Sequence, residues 1–208
     1  MRKRILISLM AGTSLALSAS VVTAGTVERT DLFGQGPGGP VVADDGASIM
    51  RTNSSVIAKV VMATPEPGSY TLGAGATGSQ IHGSPAAFSL WVFVFFNPEE
   101  CAAAVCGPGD LINDPDVVAG AFNAGGHIEG GPNLTLAGSV NASRATFGGA
   151  NAETIGQALA MGYSLAEADI HLAVAPHGVL TPELLPEQIS TPVGTPANWW
   201  LAIFGPQS

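Results

Sequence analysis

Short apolar runs alternate with Gly and Pro clusters along this chain, and most of the runs carry the two-residue period of strands. Ser55 to Ala63 is rich in Val and Ile, and Leu134 to Val140 sets Leu134, Leu136 and Val140 against Thr135, Ala137 and Ser139, as a half-buried strand does. Phe88 to Phe96 is apolar on both faces and rich in aromatic and β-branched residues, so it predicts a central strand covered on both sides. Asn97-Pro98 ends it. Val117 to Phe122, Ala168 to Ala175 and Trp199 to Phe204 predict further strands, and Tyr70-Thr71-Leu72 a short one. In Ala168 to Ala175, Ile170, Leu172 and Val174 share one face, and Asp169, His171, Ala173 and Ala175 the other. One helix is predicted over Asn151 to Met161, where Asn151 is a cap and Gly162 a stop.

The 27 glycines and 15 prolines are spread between these runs, which is the punctuation of a turn-rich β domain. Residues 25–54, with Gly34 to Pro40 among them, read as a loosely structured N-terminal arm, and residues 55–208 as a single β domain. The predicted fold is all-β: a β-sandwich, or a closely related β-barrel, with one short helix.

The first residues change the setting. Met1-Arg2-Lys3-Arg4 is a compact positive start, Ile5 to Val22 is apolar but diluted by Ser, Thr and Gly, and Val22-Thr23-Ala24 is a small-residue exit. Residues 1–24 therefore read as a cleavable signal peptide, with export to the periplasm or the extracellular space. The chain beyond it has no second apolar stretch long enough to span a bilayer. It retains four basic against sixteen acidic residues, a formal charge of −12. Such a surface has almost nothing with which to neutralise phosphates, which excludes nucleic acid as a partner.

Cys101 and Cys106 form an even, closely spaced pair, and in an oxidising compartment they predict a disulfide closing a small loop after the central strand. The spacing is not that of a CxxC redox motif.

Candidate chemistry is sparse. The chain lacks the GxSxG, GxxxxGK[ST], HExxH and CxxCH patterns. His127, His171 and His177 all fall at strand edges. If His177 keeps the parity of His171, and His127 joins from a neighbouring strand, three imidazoles converge on one face, with Glu129 and Asp169 placed to orient them. That set suits Zn or Cu, since neutral imidazole ligates both and a carboxylate can fix the ring. The alternative is histidines in Gly-rich turns, hydrogen-bonded to backbone. The acidic stretch Asp110, Asn113, Asp114 and Asp116 is a second and weaker candidate, for Ca²⁺, although it lacks the EF-hand glycine and terminal glutamate. Trp91, Phe93, Phe95, Trp199 and Trp200 either line a ligand pocket or fill the core.

From Phe95 onward, the segments Phe95-Phe-Asn-Pro-Glu-Glu-Cys101, Cys106-Gly-Pro-Gly-Asp-Leu111, Gly126-His-Ile-Glu-Gly-Gly131 and Ala168-Asp-Ile-His-Leu-Ala-Val-Ala-Pro-His-Gly178 carry a resemblance. Their order is similar to that in a group of uncharacterised exported bacterial β-domain proteins, and the Ile-His-Leu segment resembles the His-containing strands of CHRD domains. The CHRD motif Gly-Glu-Ile-Arg-Gly is missing here. The resemblance spans about half the chain and implies a secreted β domain. Two function classes follow: a non-enzymatic binding module for a small molecule, a metal ion or an extracellular protein, or a metal-dependent enzyme built on the histidines.

Overall fold

The computed structural model describes residues 25–36, 38–74, 80–147 and 152–207; the predicted signal peptide and the predicted cap Asn151 lie outside them. Eight antiparallel strands form one sheet: β1 (Val27–Phe33), β2 (Val41–Arg51), β3 (Ser55–Ala63), β4 (Ala86–Phe95), β5 (Ala119–Ile128), β6 (Asn133–Asn141), β7 (Asp169–Val179) and β8 (Trp200–Phe204). Their order across the sheet is β5-β4-β7-β8-β1-β2-β3-β6. The outer two strands come back against each other, and Gly138 of β6 leaves no room for a Cβ against the Ala124 carbonyl of β5. The result is a nearly closed, barrel-like sheet. Of the two predicted architectures it is the barrel, with a single interior filled by Leu32, Ile49, Val60, Phe88, Leu136, Leu172 and their neighbours.

The expected loose arm is not loose. Residues 27–33 and 41–51 are the paired strands β1 and β2, and the Gly/Pro-rich stretch is only their connection. Their outward residues face no second layer and are polar or half-exposed, so the apolar run that marks a strand is thinned to Leu32, Ala47 and Ile49. Two register shifts in the β1–β2 pairing and Asp45 at φ 49° blur the period further. The Asp31 carboxylate accepts from the Asp45 N–H at 2.9 Å and holds that turn.

β3 coincides with its predicted span, while β5 and β7 run beyond theirs. Tyr70 is not in a strand; its ring packs at one barrel end against Phe88 and Trp200. Among the described residues there are three short α-helices, α1 (Pro108–Asn113), α2 (Ile155–Ala160) and α3 (Leu185–Ser190); α2 is the predicted helix, shortened at its start, and the other two were not predicted. α2 is capped by Thr154, whose hydroxyl accepts from the Gln157 N–H. No helix among the described residues is long and apolar enough to cross a membrane.

β4 has two buried faces, as its composition demands. Phe88, Leu90, Val92 and Val94 point into the barrel. Trp91 packs outside with Ala173, Ala175, Val193 and Trp199, and Phe95 packs outside with Leu111, Val117 and Cys106. An outer layer of loops and short helices thus lies over β5, β4, β7 and the start of β8, where Leu201 packs against it.

Candidate functional site

Of the polar residues nominated from the sequence, Asp169, His171 and His177 fall on the outer face of β7. Asp169 opens β7, opposite Phe95 at the end of β4. Two residues on, the same face carries His171, whose Nε2 donates to Asp169 Oδ2 at 3.1 Å while its ring rests against Phe95. This pair was nominated together and the structure brings it together. His177 keeps the predicted parity and lies on the same outer face. Six residues of strand separate it from His171, roughly 20 Å at 3.3–3.4 Å per residue.

His177 is sealed. A 2.7 Å hydrogen bond joins its Nε2 to Ser89 Oγ, which also accepts from Trp91 Nε1 at 2.8 Å. Its Nδ1 is buried without a partner. Burial pulls its pKa down from 6.5 to about 4, so the ring is neutral near pH 7. The buried Gln188 of α3 closes the site over it, donating to the backbone carbonyls of His177 and Val179. The Ser–His pair therefore has the reach of a nucleophile and its base but no opening to a substrate.

His127 faces the other way. It pairs with Phe88, an interior residue, and is exposed at the barrel rim. The cause is one extra residue: between Leu90↔Gly125 and Trp91↔Asn123 the β4–β5 register slips. A β-bulge of this kind transfers every later side chain to the opposite face. Without it, His127 and Glu129 would share the face of His171. Glu129 instead lies near Tyr70, and burial together with that carboxylate pushes the Tyr70 phenol up. The predicted three-histidine cluster is not assembled, and among the described residues no group of three His, Cys, Asp or Glu is placed to hold a metal ion. The consecutive Gly125-Gly126 inside a strand was the available signal for the bulge.

The acidic stretch proposed for Ca²⁺ is a helix start and a turn. Asp110, buried in α1, accepts from the N–H groups of Ala102 at 3.0 Å and Gly107 at 2.6 Å. Asp114 Oδ1 accepts from the Asp116 N–H. These bonds turn the carboxylates toward their own backbone. Asp110 thereby pins both sides of the loop closed by Cys101 and Cys106, whose Cα atoms stand 5.3 Å apart, at disulfide distance. The aromatic residues are core and layer: Phe93 stacks on Trp199 at 5.6 Å, and Trp200 fills the barrel.

Where this disulfide loop meets the barrel end, a cleft of about 970 Å³ opens. That is the upper range of small-molecule pockets. One wall is Cys101–Val105; Tyr163 and Glu167 form another, the end of β8 at Ile203 a third, and Asp169 is part of the floor. Asp169 Oδ1 is buried and has no hydrogen-bond partner. Glu99 and Glu167 add two exposed carboxylates, and no Lys, Arg or His lines the cleft.

Arg51, at the end of β2, holds these walls from behind and is a residue that sequence reasoning did not single out. Its guanidinium is buried, forks onto both Glu28 carboxylate oxygens, and donates to the carbonyls of Leu165, Ala168, Phe204 and Gly205. Those carbonyls belong to the two segments that flank the cleft, so one cation fixes the spacing between them. Compared with protein families, with curated proteins and with solved structures, the chain finds no match.

Proposed function

We propose that this chain is an exported, disulfide-pinned β-barrel module that binds a small molecule in the cleft between the Cys101–Cys106 loop and the barrel end. The cleft carries the reading: it is pocket-sized, its walls are braced by Arg51 and Asp110, and its lining includes the buried Asp169, one of whose carboxylate oxygens has no partner. A binding role is preferred to the histidine-based enzyme because His127, His171 and His177 occupy separate places, and the Ser89–His177 pair is enclosed. Export rests on the Arg-Lys-Arg start, the apolar run to Val22 and the close-set cysteine pair.

The test has two arms. The full chain expressed in a bacterium should be recovered outside the cytoplasm with a mass beginning at Gly25; recovery inside the cytoplasm at full length would contradict export. A fragment library screened by ligand-observed NMR should give binders that the cleft-filling variant Ala104→Trp abolishes. Binders that ignore that substitution would contradict the cleft as the binding site.

A further inference from the structure

We infer that the ligand of this cleft is an organic cation, an ammonium group attached to an apolar body, with Asp169 as its anchor. The inference rests on the binding reading above and specifies what is bound. Asp169 is 4% exposed, and one of its carboxylate oxygens has no partner. A buried carboxylate oxygen without a donor is costly to leave unpaired. The other oxygen is met by the His171 Nε2–H. Among the described residues no group donates to Oδ1, and Asp169 is one of the residues that line the cleft.

Charge defines the donor that a ligand brings. Glu99 and Glu167 bring two more negative charges to the same cleft, and no cationic side chain of the lining answers them. An anion is repelled, and a neutral alcohol gains a hydrogen bond but no Coulomb energy. The rest of the lining is largely apolar, with one half-buried aromatic ring, Tyr163, packed 6.5 Å from the buried Phe96 at 45°, and with Ile203 and Pro206 in the same lining. Aromatic faces attract cations, and an apolar body covers the rest. A bare divalent ion fits poorly, because it takes six or more oxygen ligands and the described residues place no three acidic groups around one point. The chain's −12 charge beyond residue 24 adds a long-range pull on cations.

The experiment is calorimetric titration of the intact protein with four probes: 2-phenylethylammonium, 2-phenylethanol, 3-phenylpropanoate and Ca²⁺. The ammonium should bind about tenfold or more tighter than the alcohol, and Asp169→Asn should erase that advantage while the alcohol's affinity stays within about twofold. Should Asp169→Asn fail to fold, Glu99→Gln/Glu167→Gln at exposed positions should still cut the ammonium's advantage about threefold. Equal affinity for the alcohol or the propanoate leaves the binding cleft standing and overturns the cation. An advantage unmoved by either variant overturns Asp169 and its neighbours as the anchor. Ca²⁺ binding that competes with the ammonium and needs Asp169 overturns the organic ligand in favour of an inorganic one. No binding by any organic probe overturns this inference, and if the fragment screen is also empty, the binding reading falls with it.

Discussion

The two halves of the barrel wall differ in what lies outside them. On β3, Val56, Ala58, Val60 and Met62 point inward, while Ile57 and Val61 look out into solvent with Lys59 between them. On β4 and β7 both faces are buried, and α3, Val193, Trp199 and the disulfide loop form a second layer. The bare half has one apolar interface and reads in sequence as clean alternation. The covered half has two, and the outer one is assembled from loops. Loops carry polar backbone that a buried layer must satisfy, which is why buried Ser89, Asn97, Asp110, Asp169, His171, His177 and Gln188 all gather on this side. Function follows the same division, since a layer of loops over a barrel leaves a cleft at its margin.

The largest effect that would sharpen this contrast is at Trp91, which is 1% exposed in the outer layer. Trp91→Ala should cost about 3–5 kcal/mol in urea unfolding, whereas Ile57→Ala on the bare wall should stay within about 0.5 kcal/mol. Equal costs would mean that the second layer is not a packed core. Arg51→Met comes next. It leaves the half-buried Glu28 carboxylate and four carbonyls without their donor, and should cost about 3 kcal/mol, read as a drop in the urea midpoint.

Acid probes the layer without mutation. Native His177 resists protonation until about pH 4, while the unfolded residue takes up its proton near 6.5. Between those values the unfolded state binds more protons. Stability is therefore full above pH 6.5 and falls as the pH drops, by about 3 kcal/mol at pH 4. Relative to the wild type, His177→Gln should flatten that slope; an unchanged slope would remove His177 as its source. The smallest effect is the Cys pair. Opening a loop of sequence separation 5 should cost about 2 kcal/mol and speed amide exchange in the outer layer but not in β3 or β6.

How much of this was legible depended on the local period. β3 and β6 could be read residue by residue because one face is wet, and β4 could be read as doubly covered because eight of the nine residues from Phe88 to Phe96 are apolar and fall on both faces. β1 and β2 were missed because bulges and polar outward residues broke the pattern beside a Gly/Pro connection that resembles a linker. Asp169 and His171 were legible as a pair, being two residues apart on one strand. The placement of His127 was not, because one extra residue in β5 reverses its face, and only pairing reveals a bulge. The cleft itself joins residues 98–105, 163–169 and 203–206, and Arg51 reaches it from far back in the chain. No local pattern announces a wall made that way. Arg51 did offer a faint signal, as one of only four cations in the chain beyond residue 24.

The most direct measurement is a ¹H–¹⁵N correlation map of the protein titrated with 2-phenylethylammonium. Saturable shifts confined to the amides of residues 96–106, 163–171 and 203–207 are the predicted result. Shifts centred on the bare β3–β6 wall, or none that saturate, would contradict a cleft built for a ligand at the margin of the covered half.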